Sequence, residues 1–299
     1  MKILIMGAGA IGSFFGGILS KENMVVLVGR KKHVEMINKK GLKIRGKTDL
    51  KVDVKAVESV NSLSEKFDLI LLAVKSYDTE YAVKEIKKII SDKTLVLSMQ
   101  NGLDNIKKIT KYIDKKNVLA GVTTNGVIFE KPGFVIHTGV GYTTIGGIDT
   151  EKNDRITSII KTFNISGIKT TLCSDIKKEI WEKAIANSSI NTLTTFFNCK
   201  NGYLLKNPVL ENLVERICLE STNIARANNI PVNFDNMLDK TNSIIKDTSD
   251  NYSSMYQSFL NKKPLEIDSI NGALVDIGKK KNADTTLNKI LVYSIKSII

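Results

Sequence analysis

At 299 residues the chain is long enough for two folded units, and 42% hydrophobic with 25% charged residues is an ordinary globular composition. Its apolar runs are too short to span a bilayer, and the C-terminal stretch Ile290 to Ile299 is interrupted by Lys296, so no membrane partner and a cytoplasmic location are expected. The net charge of +13 comes from scattered lysines with no aromatic–basic module, which argues against nucleic acid and for a solvated coat that attracts small anions.

The chain opens on a strand, a glycine turn, a helix and a second strand. Lys2 to Met6 is an apolar run of buried-strand length. Gly7-Ala8-Gly9-Ala10-Ile11-Gly12 follows at once and fits G-x-G-x-x-G. A helix is expected from Ser13 to Glu22 and a strand from Met24 to Val28. In that register Gly7 permits a tight turn, Gly9 lets a pyrophosphate approach the backbone, and Gly12 lets helix and strand pack closely. The helix start then favours a bound phosphate. A secretory signal would share parts of this pattern but does not explain the strand that resumes on schedule, and a glycine turn that binds nothing is the other alternative. The end of the second strand reads Val28-Gly29-Arg30-Lys31-Lys32, with no carboxylate for a ribose hydroxyl. Cations there suit the 2′-phosphate of NADP, and Arg30 brings a planar fork of donors; an ordinary basic helix start is the alternative.

Further on, a helix from His33 to Lys40 stops at Gly41, and Leu42 to Arg45 and Val52 to Val57 read as strands. Asp68 to Val74 is a buried strand with Lys75 at its carboxyl end, the end at which open α/β sheets bind ligands. A solvated strand-end lysine is the bland alternative. Thr79 to Ile90 is expected to be a helix, and Thr94 to Met99 a strand that runs into Gln100-Asn101-Gly102. Asn101 could bond a ligand or simply tolerate a left-handed turn. Val118 to Phe129, Gly133 to His137 and Tyr142 to Ile145 read as strands, Lys152 to Asn164 as a helix, and Ile168 to Leu172 as a last strand. The pattern then turns helical. We therefore expect an α/β fold: a Rossmann-type dinucleotide-binding domain over residues 1–172 and an all-helical domain over 173–299, with a ligand cleft between them. Cys173, Cys199 and Cys218 are widely spaced and odd in number, which fits reduced thiols and neither a zinc site nor a disulfide framework.

In the second half, Lys183, Asn187 and Asn191 stand at i, i+4 and i+8 of a helix expected from Ile180 to Thr195, which puts an ammonium and two carboxamides on one face. Asn is a poor helix-interior residue, so the alignment asks for an explanation; a polar solvent face is the alternative. Trp181, Ile185 and Ile190 supply apolar contact. Near the C-terminus, Glu266 opens an amphipathic helix with apolar residues at 267, 270, 274 and 275; a carboxylate there also suits the helix dipole alone. With only His33 and His137 in the chain, a histidine mechanism is unattractive, and His137 reads as structural.

Taken together, these segments resemble the ketopantoate reductases (2-dehydropantoate 2-reductases) over essentially the whole length. The resemblance rests on Gly7 to Gly12 with Arg30, Ala73-Val74-Lys75, Gln100-Asn101-Gly102, Thr123-Thr124 and Ile145-Gly146. In the second half it rests on Trp181-Glu182-Lys183 with Asn187 and Asn191, Asn198 to Gly202, Ser253 to Gln257 and Glu266 to Gly272. It implies an NADPH-dependent reduction of a small 2-oxo acid, ketopantoate to (R)-pantoate, on the route to pantothenate and coenzyme A. It also implies that Lys183 is the general acid and that Asn101, Asn187, Asn191, Asn201 and Ser254 hold the substrate together with Lys183. Glu266 would stand at the junction of substrate and cofactor, and Arg30, Lys75, Asn101 and Val127 would join the glycine turn in lining the cofactor site. No metal is implied.

The chain departs from the family pattern at Asn125, where His is frequent, at Ser258, where Asp is frequent, and at Leu265, where Thr is frequent. These departures bear on which 2-oxo acid is taken. A reductase of another branched 2-oxo acid and a non-catalytic NADP sensor are the competing readings, and a homodimer is one oligomeric state the sequence leaves open.

Overall fold

A computed structural model describes residues 1–149 and 154–299 in two compact units: Met1–Gln100 with Asn105–Ile176, and Asn101–Asp104 with Lys177–Ile299. The strands of unit 1 are β1 (Lys2–Met6), β2 (Met24–Val28), β3 (Leu42–Gly46), β4 (Leu50–Val52), β5 (Lys55–Val57), β6 (Leu69–Leu72), β7 (Leu95–Ser98), β8 (Val118–Thr123), β9 (Gly126–Lys131), β10 (Phe134–Gly139), β11 (Thr143–Gly147) and β12 (Thr170–Leu172). Its helices are α1 (Ala10–Leu19), α2 (Lys31–Lys40), α3 (Thr79–Ile86), α4 (Asn105–Thr110) and α5 (Asp154–Ser166).

The larger sheet runs β12-β11-β8-β7-β6-β1-β2-β5. From β5 through β1 to β8 its strands pair in parallel, in the order of a doubly wound dinucleotide fold, with the switch point between β1 and β6. Alternation along β1 sends Ile3 and Ile5 into one apolar core and Leu4 and Met6 into another, so the sheet is covered on both faces. That double cover explains why its central strands are unbroken apolar runs. A second sheet, β4-β3-β10-β9, packs its Leu42, Ile44 and Val135 into the first of those cores.

Several element boundaries differ from the sequence expectation. The first helix begins at Ala10, directly after the turn, and ends at Leu19. The expected strand over Val52 to Val57 is two strands in different sheets, because β4 pairs with β3 while β5 pairs with β2. Val118 to Phe129 likewise splits at Thr124-Asn125: the Asn125 side chain donates to Thr123 Oγ1 at 3.0 Å and accepts the Gly141 amide at 3.0 Å, closing a corner that sends β8 and β9 to different sheets. Helix α4 has no counterpart in the sequence expectation, since its two apolar anchors, Ile106 and Ile109, are separated by two lysines. The expected helix start at Lys152 lies outside the described residues.

Unit 2 is helical, with α6 (Ile176–Phe196), α7 (Pro208–Ala227), α8 (Phe234–Asp247), α9 (Ser254–Leu260), α10 (Ala273–Lys280) and α11 (Thr286–Lys296). A short 3-10 turn covers Asn201–Leu205, and a π-turn over Asp268–Gly272 precedes α10. Three apolar clusters hold these helices, the first around Trp181, Ile185 and Leu274. No helix of the described residues is long and apolar enough to cross a membrane. All three cysteines are free.

Both histidines are structural. The Gly133 amide donates to His33 Nδ1 at 2.9 Å, so Nε2 carries the proton and meets Ser13 Oγ at 3.0 Å. His33 thereby joins α1, α2 and the β9–β10 turn. His137 is bonded between Thr48 Oγ1 at 2.9 Å and the Gly139 carbonyl at 2.8 Å. Burial lowers the His33 pKa from 6.5 to about 4. As pH falls from 6.5 to 4 the unfolded chain takes up a proton at this position that the folded chain refuses, so stability drops through that window. His33→Asn is expected to flatten the fall of Tm between pH 7 and pH 4; an unchanged slope would contradict the assignment.

Candidate active site

In unit 1 the glycine turn sits at the carboxyl ends of β1 and β6. Gly7 has φ +106°, and a Cβ there would lie 2.6 Å from the Val74 amide nitrogen. A Cβ on Gly12 would lie 2.1 Å from the Gly7 carbonyl oxygen. Both positions therefore require glycine for packing within the chain. Gly9 differs, because a Cβ there would meet no atom within 4 Å. Gly9 is also the N-cap of α1 and offers no side-chain cap, and the first turn, Ala10, Ile11 and Gly12, carries no acid. Uncapped N–H groups beside open space are what a pyrophosphate needs, so the residues present fit a dinucleotide.

Ala8 is buried and the amides of Gly7 and Ala8 are both bonded to the Val28 carbonyl, which leaves Gly9 facing the open side. Arg30 is exposed at the N-cap of α2. Burial raises the Asp78 carboxyl above its usual range, and the charge of Arg30 opposes that shift, which places the two groups within each other's field. Sequence reasoning missed Asp78, which follows Lys75 in the turn after β6. Lys75 is half-buried and caps that turn with extended backbone. Val127 lies on β9, half-buried and packed against the first core.

The triplet Gln100-Asn101-Gly102 divides its work. Gln100 Nε2 donates to the Val74 carbonyl at 3.0 Å and to Thr79 Oγ1 at 2.7 Å, tying β7 to the end of β6. Asn101 and Gly102 instead belong to unit 2. Gly102 has φ +99°, the Leu103 amide donates to the Ser269 carbonyl at 3.0 Å, and Leu103 packs in the Trp181 cluster. Asn101 is therefore fixed by the turn that follows Glu266, a placement that strand periodicity could not reveal.

In unit 2, Lys183, Asn187 and Asn191 share one face of α6. Lys183 and Asn187 are half-buried and Asn191 is 4% exposed, so this face is not a solvated one. The helix is buried on its other sides as well, although Ser188, Ser189, Thr192, Thr194 and Thr195 are polar. Each of their hydroxyls donates to a carbonyl three or four residues back, which satisfies it without an external partner. Thr194 Oγ1 also reaches Ser253 Oγ at 2.8 Å, and Ser253 caps α9, so α6 holds the helix that begins with Ser254. Ser254 itself is exposed.

Lys183 and Glu266 come together. Glu266 is 7% exposed, and its charge acts on the Lys183 ammonium. Loss of hydration lowers the Lys183 pKa from 10.5 to about 8, while Glu266 pulls it upward. Asn201 is buried beside α8, where its Nδ2 donates to Thr248 Oγ1 at 2.8 Å and its Oδ1 has no partner. Two of the departures from the family pattern are explained by packing: Ser258 is buried and donates to the Ser254 carbonyl at 3.1 Å, and Leu265 fills the cluster around Ile267 and Ile270. Among the described residues no group of histidines, cysteines and carboxylates could hold a metal ion.

A doubly wound sheet with an uncapped glycine turn, joined to a helical unit that carries a desolvated lysine beside a carboxylate, defines a dinucleotide-dependent oxidoreductase class. The family described as "Ketopantoate reductase PanE/ApbA" matches residues 3–150, and its C-terminal counterpart matches residues 175–298. The chain belongs to the ketopantoate reductase family. It is 38% identical over 298 residues to 2-dehydropantoate 2-reductase of Pyrococcus horikoshii and 40% identical over 297 residues to that of Pyrococcus abyssi, covering 99% of this chain and 97% of each relative. Among solved structures it is similar to the ternary complex of D-mandelate dehydrogenase with NADH and anilino(oxo)acetate, with TM-score 0.95 and 27% identity, covering 100% of this chain and 98% of that one. It is also similar to a PanE/ApbA family ketopantoate reductase from Ralstonia eutropha JMP134, with TM-score 0.92, 28% identity and the same coverage.

Adding a Cβ at residue 102 would bring it 2.7 Å from the Ser269 carbonyl oxygen. Gly102→Ala is expected to lower the free energy of unfolding, measured in urea, by more than about 1 kcal/mol. An unchanged midpoint would contradict the docking of this segment on the turn.

Proposed function

We propose that the chain reduces 2-dehydropantoate to (R)-pantoate with NADPH, supplying pantoate for pantothenate and coenzyme A synthesis. The observation that carries the reading is the desolvated Lys183 ammonium beside Glu266, on the helix face shared with Asn187 and Asn191. Residues 1–172 would hold the coenzyme and residues 173–299 the keto acid, with Asn101 serving alongside the second set.

The reduced coenzyme, when bound, supplies the hydride. Negative charge then develops on the keto oxygen, where Lys183 stabilises it and donates a proton. A lysine with a pKa of about 8 suits a general acid, being mostly protonated near neutral pH and giving up the proton more readily than an ordinary lysine. Glu266 keeps Lys183 charged despite burial and orients it. Asn187 and Asn191 can each donate and accept, which matches a substrate bearing both a carboxylate and a hydroxyl. Asn201, with an unpartnered buried oxygen, can accept from a hydroxyl, and Ser254 can donate to a carboxylate. The backbone of the glycine turn would hold the pyrophosphate, with Lys75 and Val127 lining the same ligand and Arg30 on its 2′-phosphate.

Lys183→Ala is expected to lower kcat by at least about a hundredfold, the usual scale for a lost general acid. In the parent enzyme the rate of reduction should fall as pH rises through about 8, because the acid form of Lys183 is lost there. Unchanged turnover in a folded variant would remove Lys183 from the role. Arg30→Ala is expected to weaken NADPH by at least about tenfold and NADH far less, since a charged hydrogen bond is lost only for the phosphorylated coenzyme. Equal losses would point to NADH, the coenzyme in the D-mandelate dehydrogenase complex.

A further inference from the structure

Unit 2 contains a buried polar chain that the proposed chemistry does not use. Asn271 is fully buried in the π-turn; its Nδ2 donates to the Ser188 carbonyl at 2.9 Å and to Asn288 Oδ1 at 3.0 Å. Asn288, fully buried at the start of α11, donates through its own Nδ2 to Glu220 Oε1 at 2.8 Å and to Ser221 Oγ at 3.1 Å. Ser221 Oγ lies 3.0 Å from Ser188 Oγ, which closes the chain back onto α6. Glu220 also accepts the backbone amides of Leu287 at 2.7 Å and Asn288 at 2.8 Å, so the carboxylate that anchors the chain caps α11 as well.

We infer that Asn271 and Asn288 are positioning residues that hold the turn bearing Glu266 in register with the helix bearing Lys183. The inference rests on the reading that Lys183 and Glu266 perform the chemistry. Two observations carry it. First, the turn is widened at one point: the Gly272 amide reaches back five residues to Ile267, whereas the Ile270 amide makes an ordinary four-residue bond to Glu266. Single π-turns of this kind are rare and are frequently found at functional sites. The turn's apolar neighbours, Met255, Val292 and Ile295, come from α9 and α11, so the clamp onto α6 is the amide of Asn271 on Ser188, one residue beyond Asn187. Second, Asn271 leaves its own Oδ1 buried without a partner. A buried orphan acceptor costs stability, and Asn271 bears that cost while its amide nitrogen holds both Ser188 and Asn288. Retaining an asparagine there is better explained by placement than by stability.

The test compares Asn271→Ser and Asn288→Ala with the parent and with Lys183→Ala, using NADPH and ketopantoate as reactants. Misplacement of about an ångström at a reacting group costs up to roughly a hundredfold in rate. Both variants should fold and lose between about tenfold and a hundredfold in kcat with little change in KM. The upper limb of their pH–rate profiles should move to lower pH, because Glu266 would support the Lys183 charge less well. Folded variants with parental kcat and an unmoved limb, alongside an inactive Lys183→Ala, would overturn the inference alone. An active Lys183→Ala would overturn the reading beneath it. Loss of the fold in both variants would assign the chain of bonds to stability and overturn the inference.

Discussion

One ammonium kept short of water, with one carboxylate to sustain it, sets the demands on unit 2. Burial lowers the Lys183 pKa and the charge of Glu266 raises it. The balance of the two leaves a lysine near pKa 8. That balance requires both side chains on rigid supports. Lys183 stands on a helix buried on nearly every side, whose serines and threonines satisfy themselves on their own backbone. Glu266 stands at the mouth of a π-turn that is tied by Asn271 to α6, by Ser269 to the segment after Gly102, and by Asp268 to Lys296 at 2.6 Å.

Unit 1 answers a different requirement, that of approaching a charged ligand with backbone rather than side chains. Gly7 and Gly12 are small because the chain itself fills the space around them, while Gly9 alone of the three faces open volume. Motif glycines thus divide into those that build the turn and one that a ligand can use. Two residues beyond the second strand stands Arg30, whose charge is felt by Asp78.

Much of this was legible in the sequence because local period and global burial agree there. The strand–glycine–helix opening, the apolar central strands and the i, i+4, i+8 face of Lys183, Asn187 and Asn191 all survive into three dimensions. What escaped had non-local causes. Residues Val52 to Val57 alternate as one strand, yet each half pairs in a different sheet, a choice that lies in the partners. Asn101 reads as the tip of a sheet strand, but a positive φ at Gly102 and the Ser269 carbonyl carry it into the other unit. Asp78 and Asn288 have no motif, Asn271 lies in the Glu266 to Gly272 motif without a role the pattern assigns, and only the folded chain brings the three to Arg30, Glu220 and Ser188.

The most direct measurement is the titration of Lys183 itself, followed by NMR through the shift of its 13Cε resonance and assigned with the Lys183→Arg variant. A midpoint near pH 8 is expected. A midpoint at the ordinary lysine value, about 10.4, would mean that this ammonium is hydrated like any surface lysine and would contradict the account.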